Sequence, residues 1–433
     1  MKNLNYLKLL TLLMLFINTI ELNAHDFEVD GIYYLINDTE ATVTHQGQYG
    51  YSYDNEYSGY VSIPEVVTYD GVDYIVTSIG YEAFYQCSGL TGVEIPNSVK
   101  TINDLAFSGC KGLTSVSIPN SVESIGWNAF NGCTGLLNLY IGESVSFIDE
   151  FAFCGCSGLT SVTIPKSVSS IGHLAFFACN ALDTLNFNAI SCADFSTHES
   201  DSSHPFYQVY LSTINIGDSV KRIPAYFAYD QSQLTNLNLP NSILEIGEGA
   251  FFYCQSLTGP LTIPSSVTSI PKYAFCACSG LTSIILPNTV TSIGNYAFGD
   301  CTNLTNLIIG NSVIQIGNDA FMGCNKLSDI ICQAIIPPTT NSPFSKYEAT
   351  LKVPSSSLQD YKNTLPWKRF TNILGINAGD VDCDGKMNIS DVTSLIDIIL
   401  RGEDPIFSAD VNGDGKVDIS DVTTLIDKLL RGY

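Results

Sequence analysis

An Ala-Phe pair recurs along this chain, with its ring at Phe84, Phe107, Phe130, Phe153 and Phe176 in steps of 23 residues. It returns at Phe251, Phe275, Phe298 and Phe321, where one step lengthens to 24 because Gly259-Pro260 adds a residue. A further copy at Phe227-Ala228 reverses the pair. The text around each pair is one unit repeated: LTSVSIPNSVESIGWNAFNGCTG from Leu113, LTSVTIPKSVSSIGHLAFFACNA from Leu159, LTSIILPNTVTSIGNYAFGDCTN from Leu281. A unit this small cannot bury its own apolar side, so neighbouring units must stack and supply one another's core, which makes the chain a solenoid.

Within one unit, Leu113, Val116 and Ile118 suit an inward-facing short strand, with Ser115 and Ser117 facing solvent. Pro119 ends that strand. Val122 and Ile125 begin a second inward strand, and Ala129, Phe130 and Cys133 close the coil. The expected fold class is a repeat solenoid of about ten 23-residue coils of short β-strands and turns, over residues 75–331. Residues 188–214 lack the repeat and read as an irregular insertion. Residues 25–74, rich in Tyr, Gly and Val, read as an N-terminal β cap in which EVDGIYYLI and YDGVDYIVTSIG form strands. In residues 332–376 a strand at Leu351 to Val353, a short helix at Ser355 to Lys362, and Trp367 with Phe370 read as a C-terminal cap over the last coil.

The pattern LTSVxIPxSVxSIGxxAFxxC resembles the BspA-type leucine-rich repeats of bacterial surface proteins. The resemblance implies a curved solenoid and, for some members, adhesion to host matrix proteins or to other bacteria. Asp and Glu outnumber Lys and Arg by 43 to 19, a net charge of -24. That field repels phosphate backbones and anionic lipid headgroups and argues against nucleic acid as a partner. Residues 1–24 place Lys2 and Lys8 ahead of the apolar run Leu9 to Ile17 and end on Ala24, the form of a secretory signal peptide. No later segment is long and apolar enough for a transmembrane helix, so the expected location is secreted, extracellular or at the bacterial cell surface.

Nine of the 14 cysteines occupy one repeat position: Cys87, Cys110, Cys133, Cys156, Cys179, Cys254, Cys278, Cys301 and Cys324. Periodicity makes them a buried column of small core residues; oxidised pairs are the alternative outside the cytoplasm, and spacing does not assign them. The histidines His25, His45, His173, His198 and His204 are scattered, and no nucleophile, zinc-protease or P-loop motif is present. His198, Glu199, Asp201 and His204 could ligate a metal or serve a hydrolase, against which stands a solvated loop.

The acidic tail is an internal duplication: DVDCDGKMNISDVTSLIDIILRG from Asp380 aligns without a gap on DVNGDGKVDISDVTTLIDKLLRG from Asp410. Oxygen-bearing side chains fall at loop positions 1, 3, 5, 9 and 12, as Asp380, Asp382, Asp384, Asn388 and Asp391 and as Asp410, Asn412, Asp414, Asp418 and Asp421. Gly385 and Gly415 hold the sharp turn, and the backbone carbonyls of Lys386 and Lys416 would complete each set. Hard oxygens at this spacing suit Ca²⁺, one ion per loop and two in all. Val392, Leu395, Ile396 and Ile399, and in the second copy Val422, Leu425, Ile426 and Leu429, are expected on one helical face, with Gly402 and Gly432 as C-caps.

Two loop-then-helix units with Asp at position 12 make residues 377–433 similar to type I dockerins, small all-α calcium-binding modules that plug into cohesin domains. The Ser-Thr recognition pair usual just before position 12 in that family is here Ile389-Ser390 and Ile419-Ser420. The expected function is a non-enzymatic binding protein. Its solenoid would recognise a host matrix protein, a bacterial surface protein or a glycan, and its dockerin-like module would dock to a cohesin-like or other partner. The alternative is an accessory subunit of a cohesin–dockerin polysaccharide-degrading assembly.

Overall fold

The computed structural model describes residues 25–47, 56–195, 204–401, 407–413 and 416–431; the segment expected as a signal peptide lies outside them. The chain divides into two compact units, one of residues 1–182 with 205–209, the other of 183–204 with 210–433.

In the first unit the strands Phe27–Val29, Ile32–Asn37 and Glu40–Thr44 pair antiparallel. Asp30-Gly31 and Asp70-Gly71 turn the tight hairpins, all four residues at positive φ, as two-residue hairpin loops require. The last of the three strands pairs parallel with Val72–Ile79, and from there pairing is parallel. The two-residue strands Thr101–Ile102, Ser124–Ile125, Phe147–Ile148 and Ser170–Ile171 stack in register, one per coil. The LTSV strands form a second ladder, with Ser115–Ser117 paired to Asn138–Tyr140 and Gly59–Ser62 paired to Leu90–Glu94. A third row joins the Ala-Phe turns: the N–H of Phe84, Phe107 and Phe130 donates to the carbonyl of Ala106, Ala129 and Ala152 in the next coil, each at 2.7 Å.

The side chains these rows enclose are the ones the alternation selects. Leu113, Val116, Ile118, Val122, Ile125, Ala129, Phe130 and Cys133 are buried, and Ser115 and Ser117 are exposed. The Phe rings form a column. From Phe84 to Phe206 successive centroids lie 4.8 to 5.2 Å apart and within 11° of parallel. Each coil turns into and out of its Ala-Phe pair through left-handed backbone, as at Leu105 and Gly109 (φ +58° and +79°); at the second position Gly109, Gly132, Gly155 and Gly323 avoid a strain of about 1 kcal/mol that the side chains at Gln86, Ala178 and Tyr253 accept.

The solenoid has about 13 turns, beyond the ten that the Ala-Phe pairs count, because three coils carry the ring without the pair. Tyr57 packs tilted on Phe84 at 4.6 Å and 46°, while Phe344 stacks on Phe321 at 5.2 Å and Phe206 on Phe176 at 5.0 Å and 3°. Phe206 falls inside the stretch 188–214, expected to be irregular. Pro205 stands where other coils have Ala and accepts the Phe176 N–H at 2.8 Å, while Thr213–Ile216 pairs parallel with Thr184–Phe187. That stretch is therefore a lengthened, degenerate coil around residues 196–203, which lie outside those described.

In the second unit six strands run parallel from Gly259–Thr262 to Asn372–Ile376, and Phe251, Phe275, Phe298, Phe321 and Phe344 stack 5.2 to 5.5 Å apart. The reversed pair Phe227-Ala228 interrupts the pattern. Ala228 takes the backbone slot of the usual Phe, its N–H donating to Ala250, so the Phe227 ring meets Phe251 edge-on at 78°. After the strand Thr350–Pro354 come the short helix Leu358–Asn363 and Trp367, fully buried with its indole N–H on the Pro338 carbonyl. The edges of Trp367 and Phe370 close over Phe344.

The cysteine column has a polar role as well as a steric one. From Cys110 onward each column thiol donates to the carbonyl of the preceding coil's Phe slot, as Cys110 to Phe84, Cys133 to Phe107 and Cys301 to Phe275, while the Cys87 sulfur accepts the Tyr57 N–H. Burial pushes the Cys301 thiol up, and that of Cys324 to about 12. All 14 cysteines are free thiols.

Truncating one ring mid-column, Phe130→Ala, removes the stack on both sides and leaves a cavity that the fixed coil spacing cannot close. The expected cost is about 3–5 kcal/mol, read as a fall in the chemical-denaturation midpoint; a loss under about 1 kcal/mol would mean the column is not what holds the coils.

Candidate metal centre and docking face

The tail folds as two loop–helix copies around one small core. Val381, Val392, Leu395, Ala409, Val411, Val422 and Leu425 form its buried centre, with Met387, Ile399, Val417 and Leu429 packed against it. The helices are Ile389–Arg401 and Ile419–Arg431.

Position 12 organises each loop. Asp391 is fully buried, its Oδ1 accepting the Asp382 N–H at 3.1 Å and its Oδ2 the Asn388 N–H at 2.7 Å. Asp421, equally buried, accepts from Val411 and Asn412 on Oδ1 and from Asp418 on Oδ2. Position 9 caps the helix: the Asn388 and Asp418 side-chain oxygens take the N–H of Ser390 and Ser420 at 2.8 and 2.7 Å, the ordinary N-cap bond. The hydroxyl and N–H of Ser420 hold the Asp418 carboxyl below the usual carboxylate range.

In the first loop Asp380, Asp382 and Asp384 bring carboxylate oxygens within 4.8 Å of one another. Asp380 is buried and accepts the Gly385 N–H. Burial, then the charges of Asp391, Asp382 and Asp384, push its carboxyl up. Like charges converging in a partly desolvated place are what a divalent cation relieves, and an all-oxygen set fits Ca²⁺. A bound ion would neutralise this cluster and tie the loop to its helix. Lys386 lies exposed between the cluster and the helix. In the second loop Asp410, Asn412, Lys416, Asp418 and Asp421 are described, and Asp414 and Gly415 lie outside. Asp410 accepts the Gly413 N–H at 2.8 Å. Position 3 differs between the copies: Asp382 accepts the Ser390 hydroxyl, whereas Asn412 donates to the Ser420 hydroxyl at 2.8 Å. Position 4 requires left-handed backbone in both, met by Gly413 in one and by Cys383 in the other.

The helices depart from expectation at one position. Ile396 and Ile426, placed by periodicity with the buried residues, are 38% and 39% exposed. They belong instead to a second face, with Ile389 and Leu400 in one copy and Ile419 and Leu430 in the other, these four 69–80% exposed. Steps of seven and eleven residues put each trio on one side of its helix. The signal was present in the sequence: both copies keep Ile, Ile and Leu at positions the shared core does not need. Of the alternative metal set, His204 alone is described, and it is buried with Nε2 against the Tyr226 carbonyl at 2.7 Å and its ring edge on Phe195. It packs the lengthened coil.

Replacing Asp391 by Ala removes the acceptor for two loop N–H groups at once. Backbone amides bonded to a carboxylate contribute about 1.5–3 kcal/mol each, so the Asp382 and Asn388 amides should lose most of their protection from hydrogen exchange in calcium-free protein. Unchanged protection at both would assign the latch to other groups.

The family model described as BspA type leucine rich repeat region matches residues 77–199, 193–282 and 252–357, more than half of the chain. The dockerin type I domain model matches residues 378–430. Among solved structures, a leucine-rich repeat protein from Bacteroides ovatus is 26% identical with a TM-score of 0.37, covering 71% of this chain and 94% of that one. A leucine rich cell surface protein from Faecalibacterium prausnitzii is 24% identical with a TM-score of 0.37, covering 81% and 94%. The pneumococcal vaccine antigen PcpA is 21% identical with a TM-score of 0.38, covering 81% and 98%. No curated protein matches the chain. Among the described residues no helix is long and apolar enough to cross a membrane. The solenoid, its repeats and the paired loop–helix module agree: the chain belongs to the BspA-type leucine-rich repeat family and carries a type I dockerin domain over residues 378–430.

Proposed function

We propose that this is a secreted or cell-surface binding protein without enzymatic activity. Its solenoid recognises a protein or glycan ligand, and its dockerin domain, loaded with two calcium ions, docks it to a cohesin-like partner. One ion sits on Asp380, Asp382, Asp384, Asn388, Asp391 and the Lys386 carbonyl, the other on the matching set Asp410, Asn412, Asp414, Asp418, Asp421 and the Lys416 carbonyl. The observation that carries the reading is the duplicated exposed trio of Ile, Ile and Leu on the two helices. A small module that spends six large apolar side chains on solvent has a face built to be covered. Calcium fixes the loop from which each helix starts, and so sets the position of that face. Ile389 and Ile419 stand where the family's usual recognition pair begins, so the partner's pocket is expected to be apolar at that point. The dockerin match favours a second reading, an accessory subunit tethered into a polysaccharide-degrading assembly.

Calorimetric titration should return two calcium ions per chain, falling to one in Asp380→Ala and to one in Asp410→Ala. Immobilised cohesin domains should capture the mature chain with calcium and release it with chelator. A version ending at Ile376, and a version with Ile389→Ser and Ile419→Ser, should not be captured. Capture that survives chelator or the loss of both isoleucines would overturn the docking assignment.

A further inference from the structure

On the first unit, two tyrosines stand out on the solvent side of the LTSV strands, where the repeat at Leu113 has small polar residues. Tyr60, on the strand Gly59–Ser62, is 68% exposed, and Tyr140, on Asn138–Tyr140, is 48% exposed. Three inter-strand steps separate their strands, roughly 14 Å. Between them lies a trough of about 440 Å³, the size of a small-ligand site.

The trough is built. Tyr60 pairs in register with Gly92, at a position where the coil at Leu113 has Ser115. A Cβ on Gly92 would stand 2.8 Å from the Tyr60 ring, so the missing side chain is the seat on which the ring rests. Asn120 is fixed by accepting the Tyr140 hydroxyl at 3.2 Å and the Glu143 N–H at 2.9 Å, which commits its oxygen and leaves its amide N–H groups as donors. Glu94 takes the Ser62 hydroxyl at 2.7 Å, and Asn97 and Ser117 complete the polar lining. A second hollow of about 450 Å³ adjoins on the other side of Tyr60, beside the Asp30-Gly31 turn and Glu56. The charged residues lining both hollows are carboxylates, on a chain of net charge -24.

We infer that this trough binds a neutral oligosaccharide, a segment of a longer glycan that continues past Tyr60 into the second hollow. The faces of pyranose rings carry partly positive C–H groups that suit the negative face of an aromatic ring, and their edges carry hydroxyls that both donate and accept, matching Asn120, Asn97, Ser117 and Glu94. Phosphate, sulfate or uronate groups find no cation among these lining residues and are repelled by the carboxylates. The ring on its glycine seat is ordered before the ligand arrives, which lowers the entropic cost of binding.

The inference rests on the reading of the solenoid as the recognition part and names its ligand class. The test applies the calcium-loaded mature chain to an array of neutral and acidic glycans, then titrates the strongest neutral hexasaccharide. Neutral glycans should bind and acidic ones should not. Tyr60→Ala and Tyr140→Ala should each weaken binding at least tenfold, and Gly92→Ser, which restores the side chain of the coil at Leu113 and unseats the ring, should do so without lowering the melting temperature. No neutral glycan bound, or binding unchanged in both tyrosine variants, overturns the proposal. So does a protein ligand that competes for Tyr60. Calcium-dependent capture by cohesin in the same samples stays intact in each of these cases if the docking reading holds, and its loss identifies failure of that reading instead.

Discussion

Everything in the solenoid depends on one repeated contact, a buried phenyl ring lying flat against the ring of the next coil while the two backbones exchange an N–H for a carbonyl beside it. The ring supplies apolar area that a 23-residue unit cannot bury alone, and the adjacent hydrogen bond sets the spacing, so ring and backbone enforce the same step along the chain. The contact survives other changes in the coil, which is why coils as different as those around Phe206 and Phe344 still stack, whereas at Tyr57 the ring tilts by 46° and the N–H turns to the Cys87 sulfur. Where the contact changes, at Phe227-Ala228, the backbone row continues and the ring alone turns aside.

The same contact explains what could be read from the chain beforehand. The inward set around Leu113 to Cys133 was legible because period-two alternation and the 23-residue step agree at every position, and the paired loop–helix module because its two copies align without a gap. Three coils were not legible, because each keeps the ring and drops the letters around it: Pro205 for Ala, Val209 for Cys, Tyr57 for Phe. The exposed Ile396 and Ile426 were misplaced for a different reason. A helix with two apolar faces satisfies the period of either, and a third of a turn decides between core and surface. The seat of Tyr60 on Gly92 was invisible because it joins residues of two coils through the absence of a side chain.

In the proposed function, recognition and attachment are divided between two kinds of order. The first dockerin loop gathers the like charges of Asp380, Asp382 and Asp384, whose repulsion a bound cation would relieve, so in that function its order would be conditional on the ion. The strand faces are held by backbone ladders and buried rings that no ion touches, so their order is permanent. A molecule made this way can let go of its anchor while keeping its ligand.

The thiol column bears on survival in an oxidising place. Disulfide formation proceeds through the thiolate, and the column sulfurs are buried and, from Cys110 onward, donate to main-chain carbonyls, with burial raising Cys301 and Cys324 further against ionisation. The reactive form is therefore scarce at neutral pH, and an oxidant must also reach a core that stays closed while the coils stack. The nine column cysteines can in this way persist as free thiols in an oxidising place: the barrier is the rate of opening a coil, not the redox poise of the surroundings.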